Sequence, residues 1–235
     1  MSFGELWYVI SPLIMIFIYT VIFSNFMKMK LNIAQSQYAY SIYLVPGLLA
    51  WSSFSTLLNR VAMVFLEKAE LLKKINVPAY SFMISVLIVE FLLFCISMLL
   101  GVGFLIIIDY PISWDFLYLL PVMLLQSLFA FFLGVILALF VPFFKDLKEI
   151  IPVFLQLWFW ITPIVYVKEM IYDRFPYAVD YNIAYTFISF YQNLFLHSEA
   201  KGWDGILVLG IVTLILAFLS AYLYKKMVPV IKDII

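Results

Sequence analysis

Glu90 and Arg60 are the residues of this sequence whose types most invite a chemical role. Glu90 is an acid set deep in an apolar run, about a dozen residues in and so ~18 Å along a helix at 1.5 Å per residue. An ionisable group so placed is a candidate for a direct part in transport. The alternative is a protonated carboxyl hydrogen-bonded across helices to a Ser, Tyr or Gln. Arg60 lies near the end of another apolar run. Its planar fork of donors suits a phosphate or pyrophosphate, or the side chain snorkels to a headgroup layer. Aromatic residues form a third set. At helical spacing Tyr40, Tyr43, Gly47, Trp51 and Phe54 share one face, and Phe154, Trp158 and Thr162 share another. Rings with polar handles pack against sugar faces, although aromatics are 20% of the chain and most must serve packing or interface anchoring.

Catalytic equipment is scarce. The sequence has no H-E-x-x-H, no Cys/His cluster and no G-x-x-x-x-G-K-[ST] loop, and His197 is its single histidine. No catalytic residue and no metal ligand is expected. Any ATP that powers this chain is handled elsewhere.

The elements that hold these residues follow from composition. Of 235 residues, 66% are hydrophobic and 12% charged, with mean hydropathy +1.10. A soluble domain carries about 25% charged residues, so this is an integral membrane protein. A formal net charge of zero argues against a nucleic-acid surface. Cys95 is the single cysteine and lies in an apolar run, which excludes a disulfide framework. The start has Glu5 and neither a basic n-region nor a small-residue cleavage site, so no cleavable signal peptide is expected. Hydropathy predicts an all-α fold of about six spans near residues 6–27, 38–66, 78–108, 116–144, 150–166 and 205–227, within a single transmembrane domain 1–235. No internal repeat suggests an inverted-repeat transporter.

Lysine and arginine set the orientation. One side collects Arg60, Lys68, Lys73, Lys74, Lys145, Lys148, Lys225, Lys226 and Lys232. The other has Lys28, Lys30, Lys168, Arg174 and Lys201 among many acids. Both termini are expected in the cytoplasm, with Lys145 and Asp146 in a tight cytoplasmic turn. Residues 67–76 place Ala69, Leu72 and Ile75 at helical spacing with charges between them, as in a short amphipathic helix on the cytoplasmic face. The stretch 168–204 is too long for a bare connection. It is apolar and aromatic yet polar at Asn182, Gln192, Asn193 and His197, and is expected to form external helices that dip partway into the membrane.

Four stretches carry a resemblance: GELWYVISPLIMIFIYTVIFS, YLVPGLLAWSSFSTLLNRV, LLKKINVP and FFKDLKEIIPVFLQLWFWITPIVY. In this order the chain resembles the membrane subunit of polysaccharide-export ABC transporters, the ABC type-2 permeases that move O-antigen, capsule or teichoic-acid polymers. The resemblance spans residues 4–166 and is looser beyond. It implies a homodimer in a bacterial or archaeal cytoplasmic (inner) membrane, joined to two copies of a soluble ATPase that carries the ATP and Mg, with no cofactor on this chain. It implies a lipid-linked polysaccharide as substrate, and a cytoplasmic coupling helix at Glu67, Lys68, Glu70, Leu71, Leu72, Lys73 and Lys74 that seats in the ATPase. The external helices then close the outer mouth. Tyr40, Tyr43, Trp51, Phe54, Phe154 and Trp158 become candidates for the translocation path. Export of a drug, lipid or small glycolipid is the nearest alternative, followed by a membrane glycan transferase. The chain departs from the family in three places. A basic interfacial helix usually precedes the first stretch, and here Met1 lies almost upon it. Lys145 stands where Arg is usual, and Asn182-Ile183 and Gln192 stand where Asn-Pro and a gate Arg are usual.

Overall fold

The computed structural model describes residues 10–18, 38–74, 78–198 and 202–234, with the side chains of Lys74 and of residues 232–234 left aside. Most of the expected first span, the end of the coupling segment at residues 75–76, and Lys28, Lys30 and Lys201 lie outside the described residues. All regular structure among the described residues is helical. In chain order it comprises α1 (10–18), α2 (Ala39–Ala62), α3 (Val64–Glu67), α4 (Ala69–Lys74), α5 (Ala79–Ile107), a 3-10 turn (Trp114–Tyr118), α6 (Leu119–Phe140), α7 (Leu147–Ile161), α8 (Glu169–Tyr172), α9 (Pro176–Asp180), α10 (Ile183–Phe195) and α11 (Trp203–Ile234).

Among the described residues four stretches are long and apolar enough to cross a bilayer: Ala39–Ala62, Ala79–Ile107, Trp114–Phe140 and Trp203–Ile231. Each exceeds the ~20 residues that ~30 Å of hydrocarbon requires, so the chain is a multi-pass membrane protein. Their burial differs. In α2, 78% of the spanning window is buried, against 22% in α5 and in α11. The latter two expose Ile88, Leu92, Leu99, Leu214 and Phe218, an apolar surface that only lipid or another protein can cover.

The expected fifth span, 150–166, is helical only to Ile161. At 15 residues α7 is about 22 Å long, short of a full crossing. Pro163 explains the stop, because a proline drives the residue before it out of the helical region and brings no N–H of its own. The expected second span, 38–66, is interrupted at Met63 and resumes as α3.

Two compact units divide the chain. The first comprises Met1–Ser52, Leu92–Met123 and Thr162–Ile206. Its core forms on α10, where Phe187, Phe190, Tyr191, Leu194 and Phe195 are fully buried. Phe94 meets Tyr191 edge-on at 6.2 Å, and Phe116 lies 5.2 Å from Phe195. Asn182 caps α10 by accepting from the Ala184 and Tyr185 amides. At the other end His197 has φ +53 and donates from Nε2 to the Pro111 carbonyl at 2.7 Å. The lone histidine is thus a loop fastener. Tyr191 keeps a buried hydroxyl without a partner. Tyr191→Phe is therefore expected to leave the melting temperature in detergent unchanged or higher, since it removes a desolvated polar atom and keeps the ring.

The second unit comprises Ser53–Phe91, Leu124–Ile161 and Leu207–Ile235. Gly134 of α6 sets one contact here. A Cβ there would lie 3.0 Å from the Val61 Cβ and 3.1 Å from the Leu58 carbonyl, so α2 and α6 approach as closely as small residues permit.

Candidate functional site

The non-helical segment Thr162–Tyr166 leaves backbone carbonyls without helical partners, and side chains of α2 and α10 satisfy them. Tyr43 Oη donates to the Pro163 carbonyl at 3.2 Å and to that of Tyr166 at 2.9 Å. Tyr40 Oη donates to Val165 O at 2.7 Å. Gln192 Nε2 reaches Pro163 O and Ile164 O, both at 3.4 Å. Asn182 Nδ2 donates to Thr162 Oγ1 at 2.9 Å. Buried backbone off a helix needs partners from elsewhere in the protein, and here Thr162, Pro163 and Ile164 are all buried. The α2 spacing makes this possible: Tyr40, Tyr43 and Gly47 share one face. A Cβ on Gly47 would meet Gln192 Nε2 at 3.0 Å and Ile188 Cγ2 at 3.4 Å, so glycine is what lets α10 seat. Asn182 and Gln192 are therefore the cap and the neutral clamp of α10. Tyr43→Phe removes the hydroxyl that donates to the Pro163 and Tyr166 carbonyls and is expected to lower stability by about 0.5–1.5 kcal/mol, read by thermal unfolding in detergent.

Arg60 and Glu90 meet in the second unit. Arg60 Nη1 donates to Glu90 Oε1 in an ion pair. Glu90 is 5% exposed, whereas the Arg60 side chain is 43% exposed. The expected Ser, Tyr or Gln partner for Glu90 is thus corrected to Arg60, because a buried carboxylate is satisfied far better by a guanidinium than by a hydroxyl or amide. Arg60 is anchored rather than freely snorkelling. Its half-exposed position leaves part of the donor fork open to a headgroup or phosphate.

The remaining aromatic candidates run from the core outward in the second unit. Phe54, 1% exposed, stacks on Phe129 at 6.0 Å and meets Trp158 edge-on at 5.5 Å. Trp158 contacts Phe154 at 5.7 Å, and Phe154 is 58% exposed. In the first unit Tyr40, Tyr43 and Trp51 are buried. Of the six, Phe154 is exposed and Trp158 half-buried, and the other four are buried.

The amphipathic segment is two short helices. Val64 and Phe65 anchor α3, and Lys68 breaks the helix before α4. Glu67, Glu70, Leu71 and Lys73 are exposed, Lys68 and Leu72 half-buried, and Lys74 closes α4. Leu71 is the large apolar side chain that α4 leaves exposed among these charges. In the turn before α7, Lys145 and Asp146 are exposed, and the Asp146 carbonyl accepts from the Glu149 and Ile150 amides to start the helix. The neighbouring Lys148–Glu149 pair, 3.8 Å apart and exposed, adds little.

The described residues thus offer a clamped non-helical segment, an Arg60–Glu90 ion pair and two short helices that expose charges and Leu71. Residues 1–196 match the ABC-2 type transporter family. The chain belongs to that family. Among its relatives is the O-antigen export system permease protein RfbA of Klebsiella pneumoniae, 26% identical over 226 residues that cover 96% of this chain and 85% of the relative. The protein of the same name from Myxococcus xanthus is 25% identical over 229 residues, covering 95% and 84%. The clamp, the ion pair and the α3–α4 segment all fall within the ABC-2 match. Membership makes this chain a membrane permease.

Sequence reasoning missed two partnerships: the tyrosines with the non-helical carbonyls, and Arg60 with Glu90. Thr162-Pro163 was the available signal for the first, since a proline-broken segment in lipid demands donors from elsewhere.

Proposed function

We propose that this ABC-2 permease is the membrane subunit of an ATP-driven exporter moving a lipid-linked polysaccharide of O-antigen, capsule or teichoic-acid type across the cytoplasmic membrane. The similarity to O-antigen export permeases across 95–96% of the chain carries the reading, because it takes in both compact units and α11 as well as the family match. Two copies of the chain form the channel and two copies of a soluble ATPase, holding ATP and Mg, drive it. Poorly buried α5 and α11 supply apolar surface for a second copy and for lipid. Both termini face the cytoplasm, and the α3–α4 segment transmits ATPase closure to the spans. Phe154, with the half-buried Trp158 beside it, offers ring faces to the sugars, and Arg60 offers its open donors to the pyrophosphate of the lipid carrier.

The test is a clean deletion of this chain's gene in its host. Loss of surface glycan, with lipid-linked polymer accumulating inside and restoration by the intact gene, is the expected result. Unchanged surface glycan in the deletion would reject it.

A further inference from the structure

A cavity of about 740 Å³ adjoins the clamp within the first unit, framed by α8, α9, α10 and the start of α11, and its Tyr185 donates its amide to Asn182 of the clamp. This volume falls inside the roughly 300–1,000 Å³ of small-molecule sites. Its floor is Val179, buried, and its inner wall is one face of α10 bearing the half-buried Tyr185, Thr186 and Ser189. Exposed Lys168, Glu169, Asp173 and Asp180 form the rim. Tyr172 Oη donates to Asp180 Oδ2 at 3.3 Å. The Asp180 charge and this hydrogen bond raise the Tyr172 pKa above the ordinary phenol value. Glycines shape the far wall: Gly202 turns the chain with φ +75, and a Cβ on Gly205 would lie 2.8 Å from Thr186 Cγ2.

The lining selects a ligand class by elimination. Among the described residues no three acidic, His or Cys side chains gather to hold a metal ion. Three carboxylates against one ammonium repel phosphates and acidic sugars. The charged rim gives a lipid chain nothing to bury against. What matches is a molecule of many hydroxyls and no negative charge: carboxylates accept from vicinal hydroxyls, Thr186, Ser189 and the tyrosine hydroxyls do either, and tyrosine rings cover the C–H face. We propose that this cavity is a saccharide subsite that holds a neutral or amine-bearing hexose unit of the exported glycan. The assignment rests on the export reading above. It adds a place, lined by none of the six aromatic path candidates, where one sugar is held.

The experiment uses the full chain in lipid nanodiscs and saturation-transfer NMR. Probes are glucose, galactose, mannose, N-acetylglucosamine and glucosamine, with glucuronic acid as the anionic control. Transfer to at least one neutral or amino sugar is expected, reduced fivefold or more in the rim variant Asp173→Asn/Asp180→Asn and in the cavity-filling Thr186→Trp, with none to glucuronate. Both rim positions are exposed, so the rim variant keeps the test alive if Thr186→Trp fails to fold. No transfer to any of the sugars, equal transfer in the rim variant, or transfer to glucuronate would overturn the proposal. Surface glycan in a strain with this chain as its sole copy separates the two readings. Glycan present without sugar binding sinks the subsite alone; glycan absent sinks the export reading.

Discussion

Arg60→Ala is expected to destabilise the protein by about 2–4 kcal/mol, because it strands Glu90, 5% exposed, without a counter-charge. The figure sits below that of a fully buried pair, since the Arg60 side chain is 43% exposed and partly screened. Glu90→Ala should cost less, as the released guanidinium swings to the headgroups. Replacing both, as Arg60→Met/Glu90→Leu, should recover most of the loss, because an apolar pair of similar volume serves a span at least as well as an ion pair. The measurement is thermal unfolding of all three variants in one detergent. If Arg60→Ala alone leaves stability unchanged, the pair is not a structural lock. The double variant then isolates function: restored stability without restored export would assign the open Arg60 donors to the substrate.

Disrupting the α3–α4 segment is the second change with a large expected effect. Leu71→Asp, with or without the reversal Glu70→Lys/Lys73→Glu, alters only exposed positions and so should leave insertion and stability near normal. Export is expected to fall at least tenfold, equivalent to about 1.4 kcal/mol or more, while the partner's ATP hydrolysis continues. Export and ATPase rates measured on the same reconstituted complex decide it. Unchanged coupling would remove α3–α4 from the transmission path.

Much of this molecule was legible from local pattern. Apolar runs around residues 79–107 and 119–140 could only be helices in lipid, and Pro78 marked the start of α5. Asn182 before an apolar stretch read as polar and acted as an N-cap. What local pattern does not contain is which distant groups meet. Glu90 announces a need for a partner without naming it, and Arg60 is 30 residues away in sequence. Tyr40 and Tyr43 looked like one more pair of rings among many. Their role follows only once Pro163 has ended α7 and left carbonyls at their depth. The α3–α4 break is likewise invisible to periodicity, since it arises where Val64 and Phe65 are held in the core while Leu71 is left outside.

The most direct test of the central claim is purification. The chain is expressed with its neighbouring genes, extracted in mild detergent, and its stoichiometric partners are identified by mass spectrometry. The account predicts a soluble subunit with a nucleotide-binding G-x-x-x-x-G-K-[ST] loop, present in equal amount. A stable complex without any nucleotide-binding partner, under conditions that preserve other ABC assemblies, would contradict it.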